Sequence, residues 1–260
     1  MKIKHIAFLA ALLLMLGSCR QEKILFYPDQ LPENFKYNFE HEFREFTFRV
    51  DVNVNLNGVL FKADSSKGLV FFLHGNGGCI ESWADCAAAY ITNHYDFFVL
   101  DYRGYGKSQG RISSEKQLYN DLQIVYDSLK TLYQEKNIVI VGFSIGTGPA
   151  TYLAAANNPG LLILQAPYYN MTDLAHHYIR ILPSFLIKYK FKTNEYITKV
   201  KCPVKIFHGD MDEVIYVGSS IKLQHLFKPG DTLVILEGQK HNGIGENKIF
   251  GIKLKGMLQH

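Results

Sequence analysis

The chain predicts an α/β domain wound on both sides of a mostly parallel sheet, and three features carry that prediction. Six short apolar runs recur along it, stretches of helical periodicity separate them, and period-two runs precede them all. Strands that alternate with helices pair in parallel through right-handed crossovers. Ligands of such sheets bind in the loops beyond the carboxyl ends of the strands, so those loops are where chemistry is expected.

The first residues stand outside that domain. Met1-Lys2-Ile3-Lys4 is a basic start and residues 6–16 are apolar, too short a run to span a bilayer, which takes about twenty residues. This pattern predicts a secretion signal over residues 1–18. Leu16-Gly17-Ser18-Cys19 resembles the bacterial lipobox, in which the cysteine is lipidated and becomes the first residue of the mature protein. On that expectation the protein works in the bacterial cell envelope, outside the cytoplasm, held to a membrane by acyl chains on Cys19. Residues 19–38, with Pro28, Asp29, Pro32 and no periodicity, are expected to be a tether. Residues 39–260 are then one domain, since their number suits a single large core.

The formal charge of +4 falls to +2 once Lys2 and Lys4 are set aside, which is no footprint for nucleic acid. Cys79, Cys86 and Cys202 form no C-x-x-C and no metal-ligand spacing, and allow at most one disulfide. No metal is expected. The chain has no internal repeat or low-complexity segment, so function has to lie in local motifs.

Taken in order, Phe43, Phe46 and Phe48 and then Val52, Val54 and Leu56 alternate with polar residues. A turn near Asn57-Gly58 and the run Val59-Leu60-Phe61 follow, giving antiparallel strands with one polar face. The apolar strands are expected at 68–73, 97–100, 138–141, 161–164, 204–207 and 232–236. Helices are expected at 81–93, 114–133, 146–157, 217–227 and 244–258.

Gly142-Phe143-Ser144-Ile145-Gly146 places a serine between two glycines where the strand at 138–141 gives way to a helix. A turn that tight strains its central residue and pushes the Ser144 hydroxyl clear of the sheet. Pro149 fits because the first helical turn has no partner for its N–H groups. An alcohol is a poor nucleophile unless an imidazole takes its proton and a carboxylate fixes the tautomer of that imidazole. His208-Gly209-Asp210-Met211-Asp212-Glu213 follows the next-to-last strand, and Glu237-Gly238-Gln239-Lys240-His241 follows the last. Asp212 is the expected acid because it sits a few residues into its turn, with Asp210 as the fallback. His241 is the expected base, because His225 lies mid-helix and His208 is still on its strand.

Acyl transfer also needs donors for the oxyanion of its tetrahedral intermediate. The Ile145 N–H is one by position. The other is expected from His74-Gly75-Asn76-Gly77-Gly78, whose glycines let N–H groups turn inward; the Asn76 N–H is the first choice and Gly77 the alternative. With His241 as base, His74 is expected to orient that loop.

These motifs, in this order, resemble the α/β-hydrolase superfamily over nearly all of the chain after about Lys23. Within it, His74-Gly75-Asn76-Gly77, the segment from Asp101 to Ser108, Gly142 to Pro149, and Cys202-Pro203-Val204 with His208-Gly209 are similar to the Bem-type serine hydrolases. That group includes membrane-associated protein depalmitoylases. The resemblance implies an α/β-hydrolase fold with a short helical lid at about 166–200, and no cofactor. It also implies hydrolysis of carboxylic esters or thioesters of small-molecule or acyl substrates, palmitate among them. Asp101 and Arg103 belong to a segment that marks the family without known chemistry, and are expected to be structural. The proline frequent in this group shortly after the acid is replaced here by Tyr216 or its neighbours.

In the lid, Ala166-Pro167-Tyr168-Tyr169 would line the mouth of the site. Tyr178, Ile179, Ile181, Leu182, Phe185, Leu186, Ile187, Tyr189 and Phe191, mixed with Arg180, Lys188, Lys190 and Lys192, are expected to form a basic amphipathic helix. Such a helix either caps the core or lies on an anionic membrane. Two competing functions remain at this point: a serine peptidase or amidase, and a non-catalytic binding lipoprotein. An intact set of Ser144, Asp212 and His241 speaks against the second.

Overall fold

The structure is a computed structural model that describes residues 21–259; the expected signal peptide and Cys19 lie outside the described residues. The first half of the chain runs α1 (Gln21–Leu25), β1 (Tyr27–Pro28), β2 (Phe43–Asp51), β3 (Val54–Phe61), β4 (Gly68–Leu73), β5 (Gly77–Gly78), α2 (Ile80–Trp83), α3 (Ala88–Ile91), β6 (Tyr95–Leu100) and α4 (Glu115–Lys130). The second half runs β7 (Ile138–Phe143), α5 (Thr147–Ala156), β8 (Leu161–Gln165), α6 (Met171–Tyr178), α7 (Thr193–Ile197), β9 (Val204–Gly209), α8 (Gly218–Gln224), β10 (Thr232–Leu236) and α9 (Lys248–Met257).

Eight strands form one sheet in the order β10-β9-β8-β7-β4-β6-β3-β2. β10 through β6 are parallel, and β3 and β2 close one edge as an antiparallel hairpin. Side chains alternate across a strand, and here the alternation divides two cores. Leu69, Phe71 and Leu73 of β4 pack with Leu118, Leu122 and Val125 of α4 and Ala150 and Leu153 of α5. Val70 and Phe72 face the opposite way, onto Ile80, Tyr90, Phe250 and Leu254. With both faces covered, the strands have to be apolar throughout, which is why they were readable as uninterrupted runs.

β6 adds to one side of β4 and β7 to the other. The chain therefore reverses its winding at β4/β7, and the loops after these two strands border a crevice. Among the described residues no helix is long and apolar enough to cross a membrane.

Four local expectations are corrected. Asn57-Gly58 is no turn: both lie inside β3, and the hairpin turns between Asp51 and Val54. Gly58 is needed there because a Cβ would stand 2.4 Å from Cζ of Phe98 on the neighbouring strand. The helix expected over 81–93 is broken by a 3-10 turn at Ala84–Ala87. With three residues per turn, Ala84 and Ala87 fall on one face, and both are buried.

The basic amphipathic helix expected beyond Tyr178 does not form. α6 ends at Tyr178, a single hydrogen-bonded turn at Arg180 and Ile181 and a 3-10 turn at Ser184–Leu186 are all that follow in this stretch, and Pro183 cannot continue a helix. Ile187, Tyr189 and Phe191 are buried while Lys188 and Lys190 between them are exposed, the period of extended chain. Finally, residues 21–38 are packed on the domain: Phe26 is buried, its ring edge-on to Tyr189 at 5.5 Å, and β1 pairs in parallel with β5.

Candidate active site

Ser144 opens the 3-10 turn that follows β7 and has φ of +53°, in the left-handed region that a side chain rarely adopts. Its flanking glycines serve close approach instead. A Cβ on Gly142 would meet the Cβ of Ala150 at 2.7 Å, and one on Gly146 would meet the Leu73 carbonyl oxygen at 2.2 Å. The strain at Ser144 is thus held by packing on both sides.

Three side chains from three loops form one hydrogen-bonded chain. His241 Nε2 lies 2.9 Å from Ser144 Oγ, and His241 Nδ1 lies 2.7 Å from Asp212 Oδ2. A carboxylate only accepts, so Nδ1 carries the proton and Nε2 is left free to accept from the serine. The other Asp212 oxygen accepts the Val214 and Ile215 N–H groups, both at 2.8 Å. Burial raises the pKa of Asp212, but hydrogen bonds from His208, His241 and Ile215 outweigh it and hold the carboxyl well below its usual range. Asp212 is thereby held ionised.

Asp210 and the other histidines take different places. Asp210 is exposed and its Oδ1 accepts the Gly238 N–H, stapling the two loops together. His225 is exposed at the end of α8. His208 is fully buried: its Nε2 donates to the Ile215 carbonyl at 2.7 Å and stands 3.3 Å from Asp212 Oδ2, while Nδ1 accepts from Ser220 Oγ at 2.6 Å. It is a brace for Asp212 that sequence reasoning passed over, although its spacing four residues before the acid, on a buried strand end, was a usable signal.

Asn76 and Ile145 border the same cavity as Ser144 and His241, a space of about 270 Å³ walled by Leu25, Trp83, Met171, Leu174 and Val214. The peptides that carry their N–H groups are fixed through their carbonyl ends. The Ser144 carbonyl accepts from Thr147 Oγ1 at 2.6 Å, and the Gly75 carbonyl accepts from His74 Nδ1 at 2.8 Å. Burial pushes His74 down to about 4, so it is neutral at ordinary pH, with Nδ1 protonated. Tyr168, expected at the mouth, lines the cavity and donates to the Ile145 carbonyl at 3.0 Å.

Asp101 and Arg103 lie behind this surface. Asp101 Oδ1 accepts the Ile80 N–H at 2.8 Å, and Arg103 makes a two-pronged pair with Asp121 at 2.6 and 2.8 Å. Tyr216 stacks on His177 and donates to Asp173, tying the turn after the acid to α6. The three cysteines among the described residues are free thiols, and no group of three or more potential ligands among these residues could hold a metal ion.

A family model described as serine aminopeptidase, S33, matches residues 64–196, about half of the chain and including Ser144. The chain belongs to the α/β-hydrolase superfamily. A putative α/β hydrolase of Acanthamoeba polyphaga mimivirus is 34% identical over 59% of this chain and 59% of its own length. The human α/β hydrolase domain-containing protein 17C is 31% identical over 76% of this chain and 60% of its own. The chain thus spans about six-tenths of the length of these curated relatives.

Solved structures share the fold at lower identity. The esterase Est1E of Butyrivibrio proteoclasticus, with ferulic acid bound, superposes with a TM-score of 0.69 at 19% identity, over 82% of this chain and 97% of that one. The Pyrococcus furiosus esterase Pf2001 gives 0.69 at 21% identity, over 89% and 98%. This α/β hydrolase therefore has the superfamily's sheet, with the cavity at the carboxyl ends of β4 and β7.

Proposed function

We propose that this α/β hydrolase is a serine hydrolase that cleaves carboxylic esters or thioesters through an acyl-enzyme. The observation that carries the reading is the unbroken chain Asp212–His241–Ser144, at 2.7 and 2.9 Å, opening onto an apolar cavity. Ser144 Oγ attacks the acyl carbon as His241 Nε2 takes its proton, and the Ile145 and Asn76 N–H groups receive the oxyanion. Asp212 stabilises the imidazolium. Collapse of the intermediate passes the proton from Nε2 to the departing alkoxide or thiolate. Water then repeats the sequence on the acyl-enzyme and frees Ser144.

Esters are favoured over aminoacyl amides by the wall of the cavity. None of the described residues that line it is Asp or Glu, so an α-ammonium group would enter without a counter-charge. The match to a family described as serine aminopeptidase keeps such amides in the test. At about 270 Å³ the cavity lies at the small end for ligand sites, which favours short and medium acyl groups over palmitoyl. The lipobox-like Leu16-Gly17-Ser18-Cys19 supports an envelope lipoprotein, in which Cys19→Ser would move the protein from the membrane to the soluble fraction.

A fluorophosphonate probe tests the core of the proposal. Wild-type protein should be labelled and Ser144→Ala should not; equal labelling of both sinks the catalytic assignment. A series of aryl esters from acetyl to palmitoyl, run beside aminoacyl amides, then assigns the substrate class. Turnover confined to the amides would overturn the ester reading.

A further inference from the structure

The loop that carries Asn76 is almost all glycine: Gly75, Gly77 and Gly78 surround the one residue with a side chain. A chain of that composition does not hold its own peptide planes, so whatever fixes them has to come from outside. Two outside groups reach the Asn76 carbonyl. The Tyr105 hydroxyl donates to it at 2.6 Å, and the Tyr27 N–H at 3.3 Å, with Asn76 Oδ1 also 3.1 Å from the same N–H. Next along, the Asp29 N–H donates to the Gly78 carbonyl at 3.1 Å, and the Asp29 carbonyl accepts the Gly106 N–H at 2.7 Å. Residues 27–29 are therefore a strand laid between the glycine loop and the turn that holds Tyr105.

The same segment reaches the lid and the cavity. Glu22 Oε1 accepts from the Tyr189 hydroxyl at 2.7 Å and pairs with Lys188, and the side chain of Leu25 forms part of the cavity wall. One short stretch thus touches the lid, the acyl cavity and the loop expected to bind the oxyanion. A purely mechanical link would not need to end on the carbonyl of Asn76.

We propose that residues 25–29 are a strap that completes the active site, with the Tyr27 N–H and the Tyr105 hydroxyl as positioning groups for Asn76 and Leu25 as a wall of the acyl cavity. This rests on the reading of Ser144 as nucleophile. With the Tyr105 hydroxyl on the Asn76 carbonyl and the Tyr27 N–H shared between that carbonyl and Asn76 Oδ1, the peptide on that side of the residue is held, and His74 fixes the peptide on the other side. The Asn76 Cα is held between two fixed planes, so its N–H stays aimed into the cavity without reorganisation when negative charge develops. The Tyr105 part of the clamp comes from the segment that marks the family, and gives that segment a task at the site.

The test uses the full chain with Tyr105→Phe, which removes one oxygen, and Tyr27→Pro, which removes the N–H. Hydrolysis of p-nitrophenyl butyrate is measured together with inhibition by an aryl trifluoromethyl ketone, which adds to serine and places an oxyanion in the same donors. Each variant should lose about tenfold in kcat with KM within about twofold, and the ketone inhibition constant should rise about tenfold in parallel. Tyr105→Phe decides the outcome should Tyr27→Pro melt below the assay temperature. Values of kcat within twofold of wild type, or a fall in kcat with ketone affinity unchanged, would overturn the strap. A wild-type protein without Ser144-dependent turnover would instead remove the reading on which the strap rests, so the two failures are told apart.

Discussion

His208 Nε2 stands 3.3 Å from the Asp212 oxygen that also accepts from His241, and neither side chain is exposed to solvent. The acid therefore has a second imidazole at its back, held in turn by the Ile215 carbonyl and Ser220. Removing that imidazole leaves the Ile215 carbonyl unpaired and takes away the N–H that Asp212 shares at 3.3 Å, which loosens the turn carrying the acid and its hold on His241. His208→Met should lower kcat/KM on an activated ester by about tenfold, whereas His208→Gln, which keeps a donor near the Nε2 position, should retain most of it. Steady-state kinetics beside thermal melting separate this from simple loss of fold, and equal rates for Met and Gln would remove the brace.

Gly146→Ala should damage both stability and rate. Its Cβ would stand 2.2 Å from the Leu73 carbonyl oxygen and 2.6 Å from that of His74, so the turn bearing Ser144 must move away from the end of β4. Overpacking of this kind costs about 1–3 kcal/mol, and a shift of about 1 Å between nucleophile and oxyanion donors costs up to about 100-fold in rate. Gly251→Ala is the control. A Cβ there meets nothing within 4 Å, on an exposed stretch of α9, and should leave stability level or raise it by about 0.5–1 kcal/mol. Melting curves of the two variants and kcat of Gly146→Ala check both statements.

How far the sequence could be read follows from these same residues. Strands buried on both faces announce themselves, and 68–73 coincides with β4 because no polar residue had to alternate in; the edge strand β10, half-exposed, was legible at 232–236 from its unbroken apolar β-branched run alone. Ser144, Asp212 and His241 each lie just beyond a strand, so chain order alone could pick them, and the structure brings the three together. What failed was local period and context. Ile187, Tyr189 and Phe191 repeat every second residue, yet basic residues interleaved with apolar ones over so short a stretch suit a helix face equally well. Asn57-Gly58 has the composition of a turn, but the ring of Phe98 is what demands the glycine. The partners of residues 21–29 lie some 50 to 165 residues away, on the glycine loop and the lid, and no local pattern reports such contacts.

Asp101 gives the protein a pH-dependent stability with an unusual sign. Burial pushes its carboxyl up to about 8, against the opposing pull of the Ile80 N–H, Tyr37 and Lys107. Between pH 3.8 and about 8 the folded protein keeps a proton on Asp101 that the unfolded chain has released. Stability from this group therefore falls as pH rises through that window, by up to about 1.4 kcal/mol per pH unit. Asp101→Asn is neutral at every pH and should lose that slope. The difference in melting temperature, variant minus wild type, should grow from pH 6 to pH 8 and then level off; a constant difference across the range would place Asp101 among ordinary ionised carboxylates.

The Arg103–Asp121 pair joins the turn of residues 101–108 to α4, and both side chains are less than a tenth exposed. Such a pair contributes little relative to apolar residues of the same shape, because desolvation offsets attraction, but half of it is costly to leave behind. Arg103→Met strands the Asp121 carboxylate beside Asp51, whose own approach to Arg103 is a looser 3.5 Å. The single variant should be destabilised by about 3–5 kcal/mol, while Arg103→Met combined with Asp121→Leu should recover most of that loss. Urea unfolding of the two singles and the double closes the cycle. Additive losses would mean that the two charges act independently. A double variant more stable than either single would show that the pair's charges, rather than the packing around them, make Arg103 indispensable once Asp121 is present.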